Sequence, residues 1–145
     1  PVWADEIPVV VTSSDYYIPY VGVFIESLAL KSSPNRHYDI VILNKNVTED
    51  NKKKIALQCE SYPNIAVQFY SPKYELEDMV FYTANAVEES NYRLLAPWIL
   101  TKYEKAIVMD VDIILLSDLA NLYDTTVFES GKVIAASKDV VKQVM

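Results

Sequence analysis

IPVVVTSSDYYIPYVGVFIESLALKSSPNRHYDIVIL, residues 7–43, holds two apolar strands on either side of one helix, and that order decides the fold. Ile7 to Val11 is a short β-rich run that ends in the polar Thr12-Ser13-Ser14-Asp15. Pro19 suits a first helical turn, and Val21, Phe24, Ile25, Leu28 and Ala29 then recur at helical spacing. Ser32-Ser33-Pro34-Asn35 stops that helix, and Tyr38 to Leu43 reads as a second strand buried on both faces.

The alternation continues downstream. Thr48 caps a polar helix running to about Glu60, whose Lys52-Lys53-Lys54 run is a solvated face. Pro63-Asn64 turns the chain into a third strand, Ile65 to Tyr70. Residues 71–85 read as loop with a helical turn, and Val87 to Leu100 as a helix that Pro97 should end or kink. Ala106 to Met109 is a fourth strand, and Ile113 to Leu116 continues extended. Ser117-Asp118-Leu119 opens a short helix, and Lys132 to Ala136 is a last strand. Strands alternating with helices imply an α/β fold with a mainly parallel sheet and helices on both faces. In such folds ligands sit at the carboxyl ends of the strands. Two polar segments fall there: Thr12 to Tyr17 after the first strand, and Asp110 to Asp112 after the fourth.

Composition bounds the chemistry. With 145 residues, 51% of them hydrophobic, residues 1–145 make one domain with a sizeable core. No apolar run approaches the roughly 18 to 20 residues that cross a bilayer. Pro1 stands where an initiator Met would, as in a processed or truncated start. The charge of −7 lacks the basic footprint of a nucleic-acid binder, yet a metal can still bridge an acidic protein to an anionic nucleotide. Cys59 is the single cysteine, which excludes an internal disulfide and fits a reducing compartment. Two glycines, Gly22 and Gly131, cannot build a G-x-G-x-x-G turn or a P-loop. One histidine, His37, excludes a zinc site of several His and Cys ligands; following Pro34-Asn35-Arg36, it reads as a surface turn residue. What remains is carboxylates, hydroxyls and two arginines.

Asp110 and Asp112 stand inside Ala-Ile-Val-Met-Asp-Val-Asp-Ile-Ile-Leu-Leu, two acids among nine apolar residues. With ten Asp in the chain, about 0.7 Asp-x-Asp pairs are expected by chance, so the spacing alone means little. The apolar setting carries the meaning, because a carboxylate there is costly unless something pairs with it. In extended backbone residues i and i+2 project to one side, so both acids can face one ion while Val111 faces the core. Mg²⁺ or Mn²⁺ typically takes one or two carboxylates plus substrate phosphates. The plainer alternative is a strand-end turn whose acids bond backbone N–H groups or an arginine. Arg93, in Asn-Tyr-Arg-Leu-Leu one helix upstream, is placed to hold a phosphate or sugar hydroxyl or to balance the acids. Arg36, in a turn, reads as solvated. Of eleven tyrosines, Tyr17 lies in the first strand-end loop, where a base could stack.

Taken in order, Val-Thr-Ser-Ser-Asp-Tyr-Tyr, Tyr-Arg-Leu-Leu, Tyr-Glu-Lys-Ala-Ile-Val-Met-Asp-Val-Asp-Ile-Ile-Leu, Ser-Asp-Leu-Ala-Asn-Leu-Tyr-Asp and Val-Ile-Ala-Ala-Ser-Lys-Asp resemble family 8 glycosyltransferases, the bacterial galactosyl- and glucosyltransferases related to glycogenin. The likeness runs from about Ile7 to Asp139. It implies a GT-A fold, a UDP-sugar donor, Mn²⁺ or Mg²⁺, and transfer of a hexose (galactose or glucose) with retention to a glycan or lipid-linked acceptor. By the same resemblance Asp110 and Asp112 ligate the metal, Asp110 also nearing the ribose, and Arg93 reaches the donor sugar and pyrophosphate. Thr12, Asp15 and Tyr17 line the uridine pocket, Val111 meets the base through its backbone, and Asp139 faces the acceptor. Ser14 and Tyr16 stand where relatives often carry Asp and Asn. The family places its third metal ligand, a histidine, and most catalytic residues beyond Met145, and His37 cannot fill that role by position. The resemblance therefore implies a donor-binding domain truncated at its C-terminus, with a cytoplasmic role in building surface glycans and peripheral contact with the inner face of the membrane.

Three rival readings differ in class. Four apolar residues before Asp-x-Asp also resemble the opening motif of haloacid-dehalogenase-like phosphatases, but those place it at the domain start and follow it with a Gly-containing flap, where this chain has Ile113 and Ile114. A receiver-like phospho-acceptor domain wants an acidic pair after the first strand, where only Asp15 stands. A non-catalytic nucleotide-sugar-binding module is the other rival.

Overall fold

A computed structural model describes residues 6–72 and 91–136. Four strands, β1 (Glu6–Ser13), β2 (His37–Asn44), β3 (Ile65–Tyr70) and β4 (Ile107–Met109), form one sheet in the order β3-β2-β1-β4. Every pairing is parallel: β1 runs beside β2 from Glu6↔His37 to Ser13↔Asn44, and beside β4 from Val9↔Ile107 to Val11↔Met109. β2 runs beside β3 from Tyr38↔Ile65 to Leu43↔Tyr70.

Parallel strands are joined by crossovers that cover the sheet, which is why β1 and β2 are buried along nearly their whole length. Successive side chains take opposite faces. Ile7, Val9 and Val11 of β1 and Tyr38, Ile40 and Ile42 of β2 pack on one side against α1 (Ile18–Lys31), α2 (Glu49–Cys59) and α4 (Leu119–Thr125). Val10, Val41 and Leu43 pack on the other side against Tyr92, Ala96 and Leu100, from a 3-10 turn (Tyr92–Leu95) and the short α3 (Ala96–Ile99). Each fully buried Leu, Ile, Val or Phe in these layers contributes roughly 1.5 to 3 kcal/mol of transfer free energy.

α1 presents Val21, Phe24, Ile25 and Leu28 to the sheet, with Pro19 in its first turn. Gly22 lets α2 approach: a Cβ there would meet Gln58 Oε1 at 3.2 Å, and Gln58 donates to the Gly22 carbonyl at 2.9 Å. Thr48 caps α2, its hydroxyl accepting from the Asn51 N–H. Asp118 caps α4, accepting from Ala120 N–H at 2.9 Å, and also grips the α1–β2 turn through Ser33 N–H and the Tyr38 hydroxyl.

Several expectations need correction. β1 is longer than Ile7 to Val11, running through Ser13, because its ladder with β2 continues there. Within Val87 to Leu100, the described part is a 3-10 turn followed by the single turn of α3, because Pro97 lies in that helix's first turn and supplies no N–H to a helix running through it; residues 87–90 lie outside the described residues, as do 73–85. β4 begins at Ile107 rather than Ala106.

Ile113 to Leu116 keeps its in-out alternation but pairs with no strand among the described residues. The chain leaves the sheet, and Leu115 N–H is satisfied by the Ser27 hydroxyl of α1 at 3.1 Å instead of a ladder. Lys132 to Ala136 forms no strand either: Gly131 at φ 84° turns the chain, and these residues are exposed without a ladder partner among the described residues. His37 is no turn residue but the first of β2, partly buried, with Nε2 3.9 Å from Glu6. Arg36 is not solvated: its guanidinium grips Asp124 at 2.6 and 3.1 Å. No helix among the described residues is long and apolar enough to cross a membrane.

Candidate donor-binding site

Because all four strands run in one direction, their carboxyl ends open on one edge, and β1 and β4 are neighbours there. Val11 pairs with Met109, so Thr12 and Asp110 each follow a paired residue on adjacent strands. Beyond Met109, Val111 is buried in the core, whereas Asp110 and Asp112 are exposed. The alternation then persists off the sheet, with Ile113 and Leu115 inward and Ile114 and Leu116 outward. Both acids thus lie at the surface, flanking a buried Val111.

The upstream arginine reaches this edge. Arg93 Nη2 donates to Asp110 Oδ1 at 2.7 Å, with the arginine side chain 38% and the aspartate side chain 56% exposed. Tyr92, buried against the far face of the sheet, and the buried Leu95 fix the turn that carries Arg93. The arginine and the first acid are therefore brought together as the sequence anticipated.

The first strand-end loop is organised differently. After Ser13, the segment Asp15–Tyr17 makes a 3-10 turn, closed by Tyr17 N–H to the Ser14 carbonyl at 3.1 Å. Asp15 Oδ1 accepts from Thr48 N–H at 2.8 Å, from the Thr48 hydroxyl at 2.9 Å and from Asn51 Nδ2 at 2.9 Å. The Thr48 N–H bond, then those from Asn51 and the Thr48 hydroxyl, hold its carboxyl below the usual aspartate range. Asp15 thus clamps the loop onto the first turn of α2. Sequence reasoning identified Thr48 as a cap but missed this second partner; Thr-x-x-Asn at the start of a helix was the available signal. Tyr17 is 43% exposed and sits between Tyr16 and Tyr20, with ring centroids 5.3 and 5.5 Å away. Asn44, at the end of β2, ties the Ile42 and Tyr70 carbonyls together through Nδ2. Asp139 lies outside the described residues.

Two neighbouring carboxylates fit a hard divalent cation that takes one or two protein oxygens and completes its shell with phosphate. Among the described residues no third His, Cys, Asp or Glu joins them.

Comparison with solved structures gives the same architecture. The bifunctional glycosyltransferase WbbM, in its apo structure, is similar over 87% of this chain and 22% of its own, with 28% identity and a TM-score of 0.76. The galactosyltransferase LgtC, in complex with donor and acceptor sugar analogs, is similar over 83% of this chain and 43% of its own, at 19% identity and a TM-score of 0.59. GlyE of Streptococcus pneumoniae TIGR4 matches over 84% and 27%, at 18% identity and a TM-score of 0.61. The last two share the fold alone, and this chain spans less than half the length of each of the three. No curated protein sequence matches the chain. These neighbours carry the GT-A fold expected from the resemblance. The model of the glycosyl transferase family 8 matches residues 8–145. That span includes the strand-end loop, Arg93 and the acidic pair, and it leaves the phosphatase and receiver readings without support: the chain belongs to glycosyl transferase family 8.

Proposed function

We propose that this chain is the nucleotide-sugar-binding part of a retaining, metal-dependent glycosyltransferase that moves a hexose from a UDP-sugar to a glycan or lipid-linked acceptor. The observation that carries this reading is the exposed acidic pair flanking buried Val111 at the end of β4, with Arg93 2.7 Å from its first member. Asp110 and Asp112 would hold Mn²⁺ or Mg²⁺ through their carboxylate oxygens. Bound there, a divalent cation supplies charge neutralisation for the diphosphate that departs when the glycosidic bond breaks.

The chain's own groups divide the remaining work. Arg93 offers a planar fork of donors that suits diphosphate oxygens and sugar hydroxyls. Thr12 and the Asp15–Tyr17 turn border the same edge, where Tyr17, 43% exposed, would meet a uracil base. Asp15 keeps that turn in place by its bonds to Thr48 and Asn51. The backbone of Val111, held by its buried side chain, would meet the base, and Asp139 would face the acceptor.

The test is calorimetric titration of UDP with and without Mn²⁺, repeated on Asp112→Asn. Metal-dependent UDP binding by the native chain, lost in the variant, is the expected result. A folded chain whose UDP binding is absent or indifferent to Mn²⁺ would overturn the reading. Full transfer is then followed with UDP-galactose and UDP-glucose as donors.

A further inference from the structure

We infer that Arg93 makes the acidic pair a poor site for a bare cation and a good one for a cation already carrying a diphosphate. The inference rests on the reading of Asp110 and Asp112 as the metal pair. Its starting point is geometric: the Arg93 guanidinium donates to Asp110 Oδ1 at 2.7 Å, so one of the pair's oxygens already faces a full positive charge. A divalent cation held by the pair then shares the Asp110 carboxylate with the guanidinium, whichever oxygen it takes.

For a bare cation this is a loss on two counts. Two positive charges then crowd one carboxylate, and the charge-assisted hydrogen bond to Asp110 weakens. A cation bringing a diphosphate changes both signs. The phosphate oxygens neutralise the cation, and they give the guanidinium acceptors that match its fork at least as well as one carboxylate does. Arg93 is the second residue of a turn anchored by buried Tyr92 and Leu95, and its side chain is 38% exposed, within reach of an anion arriving from solvent beside Asp110. The charge of the chain points the same way. A net −7 would otherwise favour indiscriminate uptake of divalent cations at an exposed acidic pair, and the arginine is placed at that pair to oppose it.

The consequence is coupling: cation and nucleotide each raise the other's affinity by the same factor, and Arg93 sets that factor. The experiment measures Mn²⁺ binding to this chain by electron paramagnetic resonance, alone and with saturating UDP, for the native chain, Arg93→Met, Arg93→Lys and Asp112→Asn. Because the pair is exposed, removing the guanidinium is expected to tighten Mn²⁺ alone only about two- to fivefold. The enhancement that UDP confers on Mn²⁺ should fall about tenfold or more, with Arg93→Lys intermediate in both measurements.

Circular dichroism melts confirm that each variant is folded, and Arg93→Gln replaces Arg93→Met if the latter is not. If Arg93→Met binds Mn²⁺ no tighter than the native chain while Asp112→Asn loses Mn²⁺, the inference about Arg93 is wrong and the metal pair stands. If, with saturating UDP, Asp112→Asn binds Mn²⁺ as the native chain does, the metal-pair reading fails and this inference fails with it.

Discussion

Asp39 and Asp110 are the same residue on the same sheet, and the molecule treats them oppositely. Asp39 lies near the start of β2 and is 4% exposed. Its carboxylate accepts from Gln68 Nε2 at 3.0 and 2.9 Å, from the Tyr103 hydroxyl at 2.5 Å and from Lys102 Nζ at 3.4 Å. Tyr103 also donates to Glu6 at 3.0 Å, so the loop after α3 is stitched to three strands at once. Burial, then the bonds to Asp39, drive the Tyr103 phenol well above its usual range, so it stays a neutral donor at any physiological pH. Asp110, at the other end of the sheet, is exposed and held by an arginine that is itself partly in solvent. A buried carboxylate must have all its oxygens satisfied within the protein, and such a network fixes structure. A carboxylate left at a strand end in water, beside a second one, keeps lone pairs for something that arrives.

The contrast can be broken from either end. Asp112→Asn should lower metal-dependent UDP affinity about 100-fold or more, since even indirect partners of metal ligands are worth 10- to 100-fold. Its thermal midpoint should stay within about 1 to 2 °C of the native value, because an exposed side chain adds little to stability. Titration calorimetry and scanning calorimetry on one sample check both halves.

Asp39→Ala should do the reverse, costing about 2 to 3 kcal/mol by stranding the Tyr103 hydroxyl and the Gln68 amide. Urea unfolding reads that loss, while UDP affinity of the folded fraction should be preserved; a UDP defect with native stability would erase the proposed division. Tyr103→Phe sharpens the same end with a smaller effect, about 1 to 2 kcal/mol, by removing the donor shared between Asp39 and Glu6.

The smallest effect is a pH dependence at Asp15. Its folded carboxyl titrates below the usual 3.8, so its contribution is fully present above that value and is lost as pH falls through the lower, folded one. Asp15→Asn should therefore be less stable than the native chain at pH 7, with the gap closing below about pH 3.8 in acid unfolding curves. A gap that persists at pH 2 would mean the clamp on Thr48 and Asn51 does not depend on charge.

The parts legible in the sequence were those with local causes. Ile65 to Tyr70 is an apolar run bounded by Pro63-Asn64, and its strand has those same ends. The spacing of Val21, Phe24, Ile25 and Leu28 fixed which face of α1 meets the sheet. Lys132 to Ala136 carries an equally β-like pattern yet forms no strand, because a strand exists only where a ladder partner accepts it. Ile113 to Leu116 shows the converse: its in-out alternation is real, but its backbone is satisfied by Ser27 of a helix rather than by a neighbouring strand.

By itself, the sequence determined the parallel α/β order, the two-sided burial of β1 and β2, and the burial of Val111 between Asp110 and Asp112. These follow from periods of two and 3.6 residues, which any chain segment carries with it. Only the tertiary structure decided which charge meets which. Arg93 finds Asp110 across 17 positions, Asp15 finds Thr48 across 33, and Tyr103 finds Asp39 across 64. Those meetings depend on the strand order β3-β2-β1-β4, which brings the carboxyl ends of β1 and β4 together. No local pattern encodes that order, because it is set by how the whole core packs.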